Sequence, residues 1–172
     1  MSTSPVTIAP TKPIRMPVIA ENIPEDLRSY PQWVVWNWNW NGKKWDKPPL
    51  SVATGWKCSK TDPKSWSTFD AARAAHQAGR FDGVGFCFTE DDPFAGVDLD
   101  SCRDPDSGEI DPSVLWILET LNGYTEVSPS GCGLKIFVRG TLLMGNHADN
   151  VRGIEMYDRG AYFTVTGHKV TW

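Results

Sequence analysis

The chain has 172 residues, of which 40% are hydrophobic and 22% charged. These values are typical of one globular domain that can bury a sizeable core. No run approaches the roughly 20 apolar residues that span a bilayer, which excludes a transmembrane helix. Residues 1–20 contain four prolines and no continuous apolar run, so they do not have the pattern of a signal peptide. We expect a cytoplasmic protein in which a flexible tail, 1–20, precedes one domain, 21–172.

The net charge of −4 is unevenly distributed along the chain. Residues 1–80 contain 11 Lys and Arg against 6 Asp and Glu, whereas residues 81–172 contain 6 against 15. The overall acidity argues against a protein that simply coats nucleic acid. A basic half, 21–80, could contact a polyanion while an acidic half, 81–172, holds a cation. Unevenly solvated surfaces would produce the same distribution.

The four cysteines are widely spaced, and no two of them form a CxxC pair. This spacing argues against a zinc site and against a disulfide framework. We expect reduced, mostly buried thiols.

The first predicted elements are a hairpin and a helix. Residues 33–40 alternate large and polar side chains, and the Asn41-Gly42 turn signal before 43–47 predicts a β-hairpin. Its tryptophans at 36, 38 and 40 would share one face, where they could stack on bases or form core. A helix is predicted over 69–77, with Ser67 and Asp70 as its capping box.

The acidic half predicts three further strand pairs and one helix. Residues 83–88 and 94–100 are joined by a short turn, which favours antiparallel pairing. Asp111-Pro112 is typical of a helix start, and the helix is predicted over 112–121. The remaining predicted pairs are 124–128 with 134–140 and 154–158 with 161–167.

The segment 141–152 is polar and expected to be mobile. The order of strands and helices predicts an α+β fold with mixed or antiparallel sheets and flanking helices.

A pair of aspartates, Asp98 and Asp100, ends an apolar strand. Residues two apart on a strand project to the same face, so both carboxylates would lie together while Leu99 enters the core. Such a pair can hold Mg²⁺ or Mn²⁺ against phosphates. Solvated aspartates at a strand end would have the same spacing, so the pair alone is a weak signal.

The loop between the strands 124–128 and 134–140 has the composition of a phosphate-binding loop. Gly131 and Gly133 let backbone amides approach an anion, Ser130 offers a hydroxyl, and Lys135 supplies positive charge. A tight hairpin loop that needs glycine for its backbone conformation would have the same composition.

Glu155 is an unusual residue for the middle of a predicted strand and needs a partner. A metal shared with the aspartates would satisfy it, as would a salt bridge to Arg139 or Arg152. Other residues could contact a nucleotide or a nucleic-acid strand, although surface roles are equally compatible with the sequence. These are Arg159 and His168 for a triphosphate or base, and Lys43, Lys44 and Lys47 for a template.

The chain resembles the archaeo-eukaryotic primase superfamily, specifically the primase-polymerase domains of phage and mobile-element replication proteins. The resemblance extends from about residue 23 onward and depends on five motifs in order. They are KPP at 47–49, TDPKSW at 61–66, GVGFCFTEDDPFAGVDLD at 83–100, TEVSPSGCGLKIFVRG at 125–140 and IEMYDRGAYFTVTGH at 154–168.

The resemblance implies an RRM-like catalytic core, a metal-binding pair at Asp98 and Asp100, and a third acidic ligand at Glu155. The family's second motif usually ends in a histidine that contacts the nucleotide phosphates, and this chain has Lys135 there. Lysine binds phosphate as a point charge but lacks the geometry and titration of histidine. The implied partners are single-stranded DNA template or primer, dNTPs or NTPs, and a helicase domain or subunit.

We therefore predict a DNA primase-polymerase that transfers nucleotides with Mg²⁺ or Mn²⁺ as cofactor. The alternative is a non-catalytic or weakly catalytic module of a replication protein that binds nucleotides or single-stranded DNA. A metal-dependent phosphodiesterase would use the same carboxylates and is a third hypothesis.

Overall fold

A computed structural model describes residues 10–172 of the chain. Its helices and strands follow in chain order. They are α1 (Glu25–Ser29), β1 (Trp33–Trp36), β2 (Asn39–Trp40), β3 (Trp45–Asp46), β4 (Pro49–Leu50), α2 (Phe69–Gln77), β5 (Gly83–Phe88), β6 (Phe94–Leu99), α3 (Pro112–Leu121), β7 (Tyr124–Val127), β8 (Leu134–Arg139), β9 (His147–Asp149), β10 (Ile154–Tyr157) and β11 (Ala161–Val165).

The strands form a four-stranded sheet, a five-stranded sheet and a small two-stranded one. The order is β11-β5-β1-β4 in the first and β7-β8-β6-β10-β9 in the second, while β2 pairs with β3. Each of these pairings is antiparallel. With three helices among the described residues, the predicted α+β fold class is confirmed.

Two hydrophobic cores hold these layers together. The larger one joins α2 to both sheets and is rich in aromatic rings, among them Trp33, Phe86, Phe137 and Phe163. The second lies between α3 and the five-stranded sheet. The five-stranded sheet is therefore covered on both faces, and a charged side chain near its middle must be held by specific contacts.

The two predicted helices and one predicted hairpin are confirmed, and a second predicted hairpin forms in part. Both α2 and α3 have the predicted bounds, and the Asp111 side chain caps α3 by accepting from the Ser113 amide. The cap of α2 is Thr68, whose hydroxyl accepts from the Ala71 amide, and not Ser67 as predicted. The pair β7 with β8 forms as expected. Of the hairpin predicted from 33–40 with 43–47, only β2 with β3 forms, because β1 pairs with β4 and β5 instead.

The predicted pairing of 83–88 with 94–100 is wrong. β5 pairs with β1 and β11, whereas β6 pairs with β8 and β10 in the other sheet. The buried Asp92 side chain explains the change of sheet, because its carboxylate accepts from the amides of Thr89 and Phe94 and from the Gln32 side chain. These contacts stabilise a turn that leads away from a hairpin.

The predicted hairpin of 154–158 with 161–167 is also wrong. β10 pairs with β6 and β9, and β11 pairs with β5. The intervening turn thus connects the two sheets. The polar segment 141–152, expected to be mobile, contains the edge strand β9.

The tryptophans of 33–40 do not lie on one strand, because the chain leaves regular structure at Asn37 and Trp38. Trp36 and Trp38 are 3% and 8% exposed, so they form core, while Trp40 is half-buried against Trp45. Of the two roles considered for these tryptophans, base stacking and core packing, Trp36 and Trp38 therefore have the core role.

Within the predicted tail, residues 1–9 lie outside the described part of the chain, and residues 10–20 contact the domain. Lys12 pairs with Asp82 at 2.7 Å, and the Ile19 amide donates to the Thr166 carbonyl. No helix formed by residues 10–172 is long and apolar enough to cross a bilayer.

Candidate active site

Three charged side chains lie next to one another across the five-stranded sheet. Asp98 on β6 is in register with Lys135 on β8 and with Glu155 on β10. Directly opposed residues of antiparallel strands project to the same face, so the three side chains share a face of the sheet. Phe94 on β6 and Phe137 on β8 are an even number of residues away from Asp98 and Lys135, so they project from the same face. Both phenylalanines enter the core that is shared with the four-stranded sheet.

The ammonium of Lys135 is held between a carboxylate and an aromatic ring. Its Nζ lies 2.5 Å from Asp98 Oδ2 and 4.5 Å from the ring centroid of Phe163. Only 8% of the Lys135 side chain and 17% of the Asp98 side chain are exposed. The predicted phosphate-binding lysine is therefore already paired with a predicted metal ligand by a charge-assisted hydrogen bond.

Asp100 and Glu155 complete a cluster of carboxylates. Partial desolvation raises the pKa of Asp100, and repulsion from Asp98 and Glu155 adds to this effect, while Lys135 opposes it. Glu155 accepts a hydrogen bond from the Tyr157 hydroxyl at 2.9 Å. The salt bridges considered for Glu155 do not form, because the two arginines pair with aspartates elsewhere. These pairs are Arg139 with Asp26 and Arg152 with Asp149.

The chemistry of this cluster fits a divalent cation. Oδ1 of Asp98 is buried and has no hydrogen-bond partner among residues 10–172. Free carboxylate oxygens are the ligands that Mg²⁺ and Mn²⁺ prefer. The described part of the chain contains no group of three acidic, His or Cys side chains already gathered as a metal site. A cation would thus need side-chain movement to engage Asp98, Asp100 and Glu155 together.

The predicted phosphate-binding loop lies directly beside the aspartates. Gly133 is required there, because a Cβ at this position would lie 2.7 Å from the Leu99 carbonyl oxygen. Gly131 has φ of +80°, a conformation that favours glycine. The Ser128 hydroxyl accepts from the Gly133 amide and contacts the Ser130 hydroxyl at 3.0 Å, which fixes the shape of the loop.

A cavity of about 320 Å³ opens between the carboxylates, this loop and the β2–β3 hairpin. Its volume lies at the lower end of the range for small-molecule sites, about 300–1,000 Å³. The buried hydroxyl of Thr164 also faces it and has no hydrogen-bond partner within 10–172. The lining residues are Lys44, Trp45, Asp46, Lys47, Asp98, Asp100, Ser128, Pro129, Ser130, Lys135, Glu155, Tyr162 and Thr164.

Some predicted site residues are directed elsewhere. The Arg159 guanidinium contacts Asp158 at 2.9 Å and Glu90 at 3.4 Å. The His168 ring contacts the Pro17 carbonyl at 2.9 Å. Lys43 lies exposed in the turn of the β2–β3 hairpin, whereas Lys44 and Lys47 line the cavity.

One buried acid next to this site has no counterpart among the predicted site residues. Glu126 on β7 is in register with Lys135 and is completely buried. Its carboxylate accepts hydrogen bonds from the Tyr124 hydroxyl and from the amides of Thr166 and Gly167. Burial raises its pKa to about 7. Its only sequence signal is an acid inside a predicted strand, which is the kind of signal that drew attention to Glu155.

An α+β fold with paired carboxylates beside a serine- and glycine-rich loop is compatible with the primase-polymerase resemblance of the sequence motifs. No protein-family model matches the chain. The chain is 36% identical to the DNA primase-polymerase of Nitratiruptor phage NrS-1 over 146 residues, which cover 82% of this chain. It spans about one fifth of the length of that relative (20%). The predicted relationship to the primase-polymerases is confirmed.

Proposed function

We propose that the chain is a nucleotidyltransferase that adds nucleotides from dNTPs or NTPs to a nucleic-acid strand on a single-stranded DNA template. The observation that carries this proposal is the row Lys135–Asp98–Glu155 beside the loop at 128–133. It combines anionic oxygens with a cation and serine hydroxyls of the loop in one cavity. Nucleotidyl transfer needs both kinds of group, because the substrate brings a triphosphate and a hydroxyl together.

In the proposed reaction, the 3′-hydroxyl oxygen of the growing strand attacks the α-phosphorus of the nucleoside triphosphate. A new phosphodiester bond forms, the bond from the α-phosphorus to the bridging oxygen breaks, and pyrophosphate leaves. The chain contributes by orienting the triphosphate against the hydroxyl. In this reaction, Lys135 and Ser130 would bind phosphate oxygens, while the amides of Gly131 and Gly133 hold the shape of the loop by donating to Ser128.

Asp98, Asp100 and Glu155 would hold Mg²⁺ or Mn²⁺ in this reaction. When bound, such a cation promotes ionisation of the attacking hydroxyl and stabilises charge on the phosphates. The ammonium of Lys135 is paired with Oδ2 of Asp98 in the free protein. Because an ammonium has three N–H donors, Lys135 would keep this pair while another N–H contacts phosphate, and the unpaired Oδ1 of Asp98 would face the cation.

The proposal is tested by incubating the protein with single-stranded templates, with and without a primer, and labelled dNTPs or NTPs. Mg²⁺ and Mn²⁺ are supplied separately, and an Asp100→Ala variant is the control. Elongated products from the wild type alone are the expected result, and products without a primer would identify a primase. Synthesis by Asp100→Ala at the wild-type rate would refute the assigned role of that carboxylate. Degradation of the labelled strand would identify a phosphodiesterase.

The alternative function, a module that binds nucleotides or single strands without catalysis, is favoured by one observation. The carboxylates are not gathered as a metal site in the described residues, and Lys135 already neutralises Asp98. This alternative predicts salt-dependent binding of triphosphate or single-stranded DNA together with no incorporation under either metal. Incorporation that depends on Asp100 would eliminate it.

A further inference from the structure

The β2–β3 hairpin and the residue after it form one wall of the cavity, opposite the carboxylates. Four consecutive residues, 44–47, line the cavity on this side. Lys44 and Lys47 are the cations among them, and the Nζ atom of Lys47 lies 4.6 Å from the ring centroid of Trp38. Trp38 is only 8% exposed and is fixed in the core, so this cation–π contact holds the ammonium in one region.

Lys47 differs from Lys43 and Lys44 in its environment. It is half-buried, whereas the other two are exposed in and beside the turn. Burial lowers the pKa of Lys47, and the positive charge of Lys135 lowers it further, while Asp98 and Asp100 oppose both effects. Lys47 is therefore part of the same electrostatic cluster as the predicted catalytic residues.

The ammonium of Lys47 has no carboxylate within ion-pair distance in the part of the chain from 10 to 172. Lys135, in contrast, is paired with Asp98. A half-buried ammonium without an ionic partner retains N–H donors for an anionic ligand, and such an ammonium is costly to leave without one.

We propose that Lys47 binds the phosphates of the incoming nucleoside triphosphate and does not bind the template strand. This inference rests on the proposed function. Lys47 and Lys135 lie on different walls of one cavity, with the loop at 128–133 beside Lys135. A triphosphate placed between them would have a cation on each side, whereas a template strand would pass over the exposed turn that carries Lys43.

The inference is tested with three variants and three ligands. Lys47→Met removes the charge and keeps most of the apolar stem, and Lys47→Arg keeps a cation over Trp38. Lys60→Met is the matched control, because Lys60 is exposed on the loop after β4 and is not among the lining residues. Affinities for a nucleoside triphosphate, for the corresponding monophosphate and for a single strand of about 20 nucleotides are measured by calorimetry with Mg²⁺.

Lys47→Met is expected to weaken triphosphate binding about tenfold, as for the loss of one charge-assisted contact. Monophosphate and single-strand affinities are expected to stay within about twofold, and Lys47→Arg is expected to restore most of the triphosphate affinity. The inference would be overturned if Lys47→Met lost affinity only for the single strand. It would also be overturned if Lys47→Met and Lys60→Met lost the same affinity for the triphosphate. Failure of the wild type itself to bind triphosphate would overturn the proposed function as well, so the two failures are distinguishable.

Discussion

The ion pair between Asp98 and Lys135 has a measurable consequence for stability as well as for activity. Asp98→Asn keeps the shape of the side chain and removes its charge, which leaves the Lys135 ammonium buried next to a neutral amide. Breaking a buried pair from one side costs about 3–5 kcal/mol. Because 17% of the Asp98 side chain is exposed, we expect Asp98→Asn to lower the free energy of unfolding by about 3 kcal/mol, the lower end of this range.

The second half of the prediction is a double-mutant cycle. Lys135→Met removes the cation and leaves Asp98 facing Glu155 and Asp100, so it should also destabilise the protein. In the double variant, neither charge is left without its partner. We therefore expect the combined loss to be smaller than the sum of the single losses by at least about 1.5 kcal/mol.

The assay is urea unfolding followed by the fluorescence of the nine tryptophans. Asp26→Asn is the matched control, because it breaks an ion pair with Arg139 whose side chains are 41% and 62% exposed. That change should cost less than about 1 kcal/mol. The reasoning would be refuted if the losses of unfolding free energy in Asp98→Asn and Lys135→Met summed, within about 0.5 kcal/mol, to the loss in the double variant. A destabilised Asp98 variant can lose activity through unfolding, and for this reason Asp100→Ala is the better test of catalysis.

Three further predictions concern the surroundings of the cavity. Asp100→Ala should leave the unfolding free energy unchanged or slightly higher, because it relieves repulsion, while abolishing nucleotide incorporation; marked unfolding in circular dichroism would contradict this. Gly133→Ala should weaken triphosphate binding measured by calorimetry, since its Cβ would lie 2.7 Å from the Leu99 carbonyl oxygen and displace the loop; unchanged affinity would argue against a role for the loop. Glu126→Gln places an amide donor against backbone donors such as the Thr166 amide and should lower the free energy of unfolding by about 1–3 kcal/mol at about pH 4.5, where Glu126 is neutral in the folded wild type. Because the pKa of Glu126 is raised from 4.5 to about 7 in the folded state, the wild type should lose up to about 3 kcal/mol relative to this variant as pH rises from about 4.5 to about 7. A stability difference that does not change over this range would contradict the shift.

The candidate carboxylates could be found from the sequence because strand alternation is a local property. The spacing of Asp98 and Asp100 predicted a shared face, and the acid in the middle of an apolar strand drew attention to Glu155. The two longer helices, α2 and α3, could also be predicted, since helix starts and ends depend on a few neighbouring residues. The short helix α1 was not predicted.

The strand pairing could not be predicted in the same way. The short turns after β5 and β10 favoured hairpins, but both of them connect the two sheets. Nothing in a short turn shows that its buried Asp92 will also accept a hydrogen bond from Gln32, which is distant in the sequence. Such contacts decide the partner of a strand, and they form only when the whole chain has folded.

The sequence by itself determined the fold class, the two longer helices, the family and the carboxylates that merit testing, because each of these follows from local pattern or from motifs in order. Only the tertiary structure brought Lys135 and Glu155 to the two sides of Asp98 and placed Lys47 across the cavity from them. It also directed Arg159 and His168 to other partners. The physical reason is that charges interact through space, and distances between residues remote in sequence are set by sheet register and core packing.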